Sequence, residues 1–208
     1  MKNIQTILKQ KGYYAEEIDG IIGPKSLEAV SKYVADEIKK RNWIPVKTGL
    51  VYIRLDQSLT NTFDDVVVRF NNGVVDRVAP CSTTAGDYWL FNPITYGGVT
   101  GTAIAAEQQV IGSHKFVTSG SWKSLWLGAP YFQQVKPIKI YRDGNKNRIL
   151  DKIITQIGLF GINLHRAGLG SLIDRWSAGC MVVPDKFWFD FISIFVNGQE
   201  ISFNLFEV

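Results

Sequence analysis

The chain has 208 residues, 46% of them hydrophobic, which is enough to bury a sizeable core in one domain plus a small module. Lys and Arg outnumber Asp and Glu by 23 to 19, a net +4 with a pI near 9.0, but the charges are scattered and form no run that would track a nucleic-acid backbone. No apolar stretch reaches the length of a membrane span, and Met1-Lys2-Asn3-Ile4-Gln5-Thr6 lacks the continuous apolar core of a cleavable secretory signal. Nucleic-acid binding, membrane insertion and signal-directed export are therefore not expected.

The first forty residues carry helical periodicity in two pieces. Ile4, Ile7 and Leu8 fall at i, i+3, i+4, and Leu27, Val30 and Val34 at i, i+3, i+7, so each piece has one apolar face. Asp19-Gly20 marks the turn between them, and Gly23-Pro24 marks a helix start with proline in the first turn. A helical hairpin over residues 1–42 is expected. The order Ile4-Gln5, Leu8, Gly12-Tyr13-Tyr14, Ile18-Asp19-Gly20-Ile21-Ile22-Gly23-Pro24-Lys25 and Ala29-Val30 resembles the helical peptidoglycan-binding module of cell-wall enzymes. The resemblance implies that Tyr13 and the loop from Asp19 to Lys25 contact muropeptide or glycan. The same residues also have a plain structural reading, Asp19-Gly20 as a turn and Tyr13 and Tyr14 as hairpin packing.

Around Arg41-Asn42-Trp43-Ile44-Pro45-Val46-Lys47-Thr48-Gly49 the helical period stops, and this is the expected boundary before a second unit over residues 50–208. Strand-like runs then dominate: Val51 to Leu55, Val66 to Phe70 closed by Asn71-Asn72-Gly73, Thr102 to Ala105, Ile138 to Tyr141 and Ile201 to Phe206. Lys186 to Phe195 is the one good helical pattern late in the chain. The expected fold class is α+β, a small N-terminal helical module followed by a mainly β domain.

Two cysteines sit in different settings. Cys81 follows the apolar run Val78-Ala79-Pro80, as a buried or strand-end residue would, whereas Cys180 closes the turn Ser177-Ala178-Gly179. A disulfide between them is the alternative in an oxidising compartment. His165, one of two histidines, stands fifteen residues ahead of Cys180 in Gly-rich surroundings. An imidazole beside a thiol raises the thiolate fraction, and small residues next to the sulfur leave room for a substrate carbonyl.

Gly161-Ile162-Asn163-Leu164-His165 and Ser177-Ala178-Gly179-Cys180, with a weaker element at Ser82-Thr83-Thr84-Ala85-Gly86-Asp87-Tyr88, resemble the L,D-transpeptidase (YkuD-like) catalytic domain. That is a β-rich cysteine-enzyme fold acting on bacterial peptidoglycan. The resemblance spans about residues 50–200, and its specific part is the His-to-Cys segment. It implies Cys180 as the nucleophile that forms a thioester with a stem-peptide carbonyl, and His165 as its base and then the acid for the leaving amine. Ser177 would brace the turn, and the N–H groups of Gly179 and Cys180 would be the oxyanion-hole donors. The chain departs from the pattern at Ala178, where many members carry a second histidine, and at Val182, where they carry an arginine. Arg175 or Arg166 is then expected to meet a substrate carboxylate, against the plain reading of both as solvated arginines.

His114, in Ile111-Gly112-Ser113-His114-Lys115, reads either as a cleft residue that positions substrate or as a satisfied structural histidine. Trp122, Trp126 and Trp176 read as a stem-peptide or sugar surface or as core, with Trp176 the expected pocket wall. Asp143 to Asp151 begins like a calcium loop but lacks glycine at the sixth place and has Ile154 in place of the closing glutamate, so a hairpin turn is expected. With two histidines and no H-E-x-x-H, a zinc peptidase is not expected, and the expected mechanism needs neither metal nor cofactor.

Three functions stay open. Water resolves the Cys180 thioester in a lytic enzyme; an amine resolves it in a true L,D-transpeptidase that cross-links stems or exchanges D-amino acids; or the cysteine is idle in a wall-binding protein. The first is the leading expectation, a phage-endolysin-like peptidase reaching the cell wall or periplasm through a lysis system, a phage particle or specialised secretion, because a resident cross-linking enzyme needs an address to the envelope. The expected partner is bacterial peptidoglycan, both stem peptides and glycan.

Overall fold

The computed structural model describes residues 1–55 and 60–208, with the side chain of Trp122 outside the described set. Two helices come first, α1 (Lys2–Gln10) and α2 (Pro24–Lys40), followed by β1 (Gly49–Arg54), β2 (Asp65–Asn71) and β3 (Val74–Cys81). The middle of the chain holds α3 (Asp87–Phe91), β4 (Thr95–Tyr96), β5 (Val99–Thr100), β6 (Thr102–Ala105), β7 (Gln108–Val117) and α4 (Trp122–Leu127). The rest is β8 (Tyr131–Gln134), β9 (Ile138–Asp143), β10 (Thr155–Gly158), β11 (Leu164–Arg166), β12 (Met181–Val183), α5 (Asp185–Ile192) and β13 (Glu200–Glu207). The protein is mainly β with a few helices.

Both early helices lie where the periodicity placed them. Proline at the first position of α2 fixes φ and sacrifices an N–H that would have had no helical partner. The turn before it is held by Asp19, whose Oδ1 accepts the Ile21 N–H at 2.8 Å and the Gln5 side-chain amide at 2.9 Å. Ile4 and Leu8 of α1 and Val30, Val34 and Ile38 of α2 are buried. They are buried against the sheet as well as against each other, in one apolar cluster with Val51, Ile53, Val66, Val68 and Phe206. Packing is therefore continuous across residues 42–50.

The main sheet has eight strands in the order β12-β11-β8-β7-β13-β1-β2-β3. Because side chains alternate along a strand, Val51 and Ile53 face the helices while Leu50 and Tyr52 face the opposite core with Val67, Phe203 and Leu205. That second core is closed by α5 through Trp188, Phe191 and Ile192, and by Ala103, Ala105, Ile138 and Ile140 from a three-stranded sheet, β10-β9-β6. Strands covered on both faces carry consecutive apolar residues, as Leu50 to Ile53 of β1 and Val66 to Val68 of β2 do, whereas β13 is legible by the alternation of Ile201, Phe203 and Leu205. Among the described residues no helix is long and apolar enough to cross a membrane.

Candidate active site

The site forms where β11 and β12 run side by side. They pair in parallel, Leu164 with Met181 and His165 with Val182, and a parallel pair needs a long crossover, here residues 167–180. This register places Asn163 opposite Cys180: the Met181 N–H donates to the Asn163 carbonyl at 3.0 Å, and the Asn163 N–H donates to Cys180 Sγ at 3.4 Å. Leu164, Met181 and Val183 point into the main core. His165 and Cys180, one step out of phase with them, emerge together on the other face.

The turn before the sulfur is built for one backbone path. Ser177 is buried, donates from Oγ to the Cys180 carbonyl at 2.7 Å and accepts the Gly179 N–H at 3.0 Å. Gly179 has φ +114°, and a Cβ there would lie 1.7 Å from the Ala103 carbonyl oxygen, so no other residue fits. The upstream element at Ser82 to Tyr88 packs directly on this turn. Ser82 exchanges backbone hydrogen bonds with Val182 at 2.9 and 3.1 Å, and the Gly86 N–H donates to the Ser177 carbonyl at 3.0 Å. A Cβ on Gly86 would meet the Asp174 carbonyl oxygen at 1.9 Å.

His165 is buried, and its Nδ1–H donates to the Arg166 carbonyl at 2.6 Å. That bond leaves Nε2 as the basic nitrogen, and Nε2 is buried without a hydrogen-bond partner. The His165 ring lies close enough to the sulfur to act on it. Lys123 brings an ammonium to 3.9 Å from Sγ. Burial alone would push the Cys180 thiol up, but Lys123 and then His165 outweigh it and pull the pKa down to about 6. The resting sulfur is therefore mainly thiolate near neutral pH. Lys123 is fixed by a short helix: Ser121 caps α4 by accepting the Ser124 N–H at 3.0 Å, and Gly128 in the left-handed region ends it.

Cys180 opens onto a cleft of about 310 Å³. Aromatic walls come from Trp89, Tyr96, Trp126, Phe160 and Trp176, and Trp126 packs on Trp176 at a centroid distance of 5.3 Å. Among the described residues three cations line it, Lys123, Arg142 and Arg175, and no carboxylate does.

The residues expected from sequence separate into three groups. Cys180, His165, Ser177 and Gly179 are brought together, and Arg175 and Trp176 line the same cleft. Gly179 differs from expectation in one respect, because its N–H is taken by Ser177 and is not free to hold an oxyanion. The Cys180 N–H makes no hydrogen bond among the described residues and remains available.

His114 and Arg166 belong elsewhere. His114 is fully buried, donates from Nε2 to the Ile162 carbonyl at 2.7 Å, accepts from Ser113 Oγ at 3.0 Å and stacks on Phe203. Burial lowers its pKa to about 4, so it is a neutral prop beneath the 161–163 segment and not a cleft residue. Arg166 is spent on the Leu127 carbonyl at 2.7 Å and on an ion pair with Asp185, which ties α4 to α5. Tyr13 and Asp19 are likewise occupied within the helical segment, Tyr13 donating to Asp36 at 2.7 Å, although Asp19 also borders a shallow groove there. Cys81 is buried, and both cysteines are free thiols. Trp122 keeps its place at the start of α4, with its side chain outside the described set.

Lys123, Arg142, Asn163 and Trp89 were not legible as site residues. Asn163 lay inside the Gly-Ile-Asn-Leu-His segment, and its position two before the histidine was the available signal. Lys123, between Trp122 and Trp126, and Arg142, at the end of a strand pattern, had no signal in the chain order. Tertiary folding alone carries them to the sulfur.

No protein-family model matches the chain, and no curated protein matches it in sequence. Among solved structures it is similar to the L,D-transpeptidase (residues 123–326) of Xylanimonas cellulosilytica DSM 15894, at 13% identity over 99% of this chain and 92% of that one, with a TM-score of 0.33. A second is the L,D-transpeptidase (Yku) of Stackebrandtia nassauensis, at 14% identity over 99% and 89%, with a TM-score of 0.38. A third is the Ldtfm–avibactam carbamoyl enzyme, at 12% identity over 77% and 49%, with a TM-score of 0.29.

Proposed function

We propose that this chain is a cysteine acyl-transfer enzyme acting on the stem peptides of bacterial peptidoglycan, with water as its acceptor, which makes it a lytic peptidase of endolysin type. The observation that carries the reading is the grouping of Lys123, Cys180 and His165 at an open cleft: a thiolate, an unpartnered imidazole nitrogen and space for a carbonyl. The sequence elements around His165 and Cys180 supply the substrate class, and residues 1–42 are assigned to holding the wall.

The chemistry follows from those positions. The thiolate attacks the stem-peptide carbonyl carbon while the proton taken from the thiol sits on His165 Nε2. The Cys180 N–H faces the developing oxyanion, a type of contact typically worth about 3 kcal/mol. Collapse of the tetrahedral intermediate breaks the C–N bond, and Nε2 passes its proton to the leaving amine, a step commonly worth about 10²–10⁴-fold. The product is a thioester on Cys180. Water then attacks it with Nε2 taking its proton, which releases a shortened stem carboxylic acid and restores the thiolate–imidazolium pair.

Water is the favoured acceptor because a stem amine enters as an ammonium, and the described cleft lining is cationic, with no acid among the described residues to receive it. Incubating diaminopimelate-type muropeptides with the protein, with and without a D-amino acid, tests the reading. Shortened stems in both cases are expected, whereas adducts with the added amino acid or new dimers would move the assignment to transfer. Binding to sacculi with no change in their muropeptides would leave only a wall-binding role.

A further inference from the structure

Three arginines in this protein are buried, and two of them are neutralised. Arg54 pairs with Glu207 and Arg69 with Asp76. Arg142 is the exception. It is 3% exposed, and among the described residues it makes no ion pair. Its Nε donates to Gln156 at 2.7 Å and its Nη1 to the Gly101 carbonyl at 3.1 Å, but its Nη2 has no hydrogen-bond partner. A guanidinium cannot escape the cost by losing its proton, so a buried one without an anion is expensive. Burial does push its pKa below the ordinary arginine value, with Tyr96 offsetting only part of it and no carboxylate among the described residues to do more.

This guanidinium is part of the cleft wall, 4.8 Å from the Phe160 ring and 5.8 Å from that of Tyr96. Tyr96 lies on β4, one strand of a two-stranded hairpin, is 58% exposed and meets the Phe160 ring edge-on at 5.9 Å. Arg175 lines the same cleft and pairs with no carboxylate among the described residues, resting instead on the Tyr88 ring at 4.2 Å. The site thus supplies positive charge, apolar walls that sharpen it and an unsatisfied N–H, and among the described residues it supplies no counter-ion.

We infer that the cleft around Arg142 is a carboxylate subsite: the acyl donor enters with a free carboxylate that meets Arg142 Nη2, flanked by Arg175, while its carbonyl reaches Cys180. This deepens the proposed peptidase reading by naming the substrate class, stem peptides whose residue at the scissile bond keeps an unamidated carboxylate.

Iodoacetate and iodoacetamide provide the test, because they differ in little but one carboxylate and both alkylate the thiolate. Their rate ratio at Cys180 therefore cancels the thiolate fraction. Relative to the ratio for glutathione in the same buffer, the native protein is expected to favour iodoacetate by roughly tenfold, the effect of one charge-assisted contact of about 1.4 kcal/mol. R142Q is expected to lose most of that preference and R142K to keep part of it. R175Q, at an exposed residue, carries the same test by a smaller loss should R142Q fold poorly. A native ratio equal to that of glutathione, or one unchanged in both R142Q and R175Q, overturns the subsite. Muropeptides separate this inference from the peptidase reading. Cleavage that is indifferent to amidation of the stem carboxylates would refute the subsite and leave the peptidase. A carboxylate preference without any cleavage would do the reverse.

Discussion

Replacing Lys123 by methionine keeps the length and apolar stem of the side chain and removes the charge 3.9 Å from Cys180 Sγ. At that distance two unit charges interact by about 4 kcal/mol at an effective dielectric of about 20. Lys123 is partly exposed, and solvent screening cuts this to roughly 1.5–3 kcal/mol, or about one to two pKa units. The thiol pKa of about 6 would rise by that amount, and the thiolate fraction at pH 7 would drop from about nine-tenths to between about one-half and one-tenth. The rate of iodoacetamide alkylation against pH, with the modified residue identified by peptide mapping, reads the shift directly. Cys81 does not interfere, because it is buried and its pKa is pushed well above the ordinary thiol value, chiefly by that burial. An alkylation midpoint in K123M within a few tenths of a unit of the native one would refute the role of Lys123 and leave His165, with the Asn163 N–H, as the source of the low pKa.

Three further outcomes follow from the same geometry. In G179A the new Cβ must avoid the Ala103 carbonyl oxygen at 1.7 Å while the backbone holds φ at +114°. A loss above about 3 kcal/mol and of order 10 °C in Tm is expected by thermal unfolding, with no alkylation advantage at Cys180. S177A strands the Gly179 N–H and the Cys180 carbonyl in a buried turn; a cost of about 2 kcal/mol, about 5 °C in Tm, is expected, and an unchanged Tm would show that the turn does not need the brace. His114 is depressed from 6.5 to about 4, so the unfolded chain binds its proton first. The stability this provides is complete above about pH 6.5 and is lost as the pH falls toward 4, by about 3 kcal/mol at about 1.4 kcal/mol per unit. Urea unfolding of a Cys180→Ala variant across that range isolates the effect from the nucleophile, and a flat profile would count against it.

The legibility of this chain follows burial. β1 and β2 are covered on both faces and announce themselves by consecutive apolar residues, β13 by alternating ones, and Pro24 announces the start of α2. β11 and β12 are only three residues long and exist because they pair with each other, so no local preference could reveal them, although they carry the site. Likewise α3 and α4, of five and six residues, are too short for a helical period to be read. The nucleophile and its base were legible because their chemistry is tied to local Gly-rich turns. For His114 and Arg166 the sequence leaves two readings open for one reason: residue type and sequence proximity say nothing about whether a side chain's hydrogen bonds are already spent inside the fold. Of the cleft's cations only Arg175 is legible, because Lys123 and Arg142 come from α4 and β9, far from the crossover in the sequence.

The central claim is that Cys180 carries the stem peptide as a thioester. Intact-protein mass spectrometry after mixing the native protein with diaminopimelate-type muropeptides and quenching in acid tests it most directly. The account predicts a transient mass increase equal to the acyl part of the stem, mapped to Cys180, absent in Cys180→Ala and decaying as shortened stems accumulate. Shortened stems formed at the native rate by Cys180→Ala would contradict it, as would a native protein whose thiolate alkylates readily but never acquires the acyl mass.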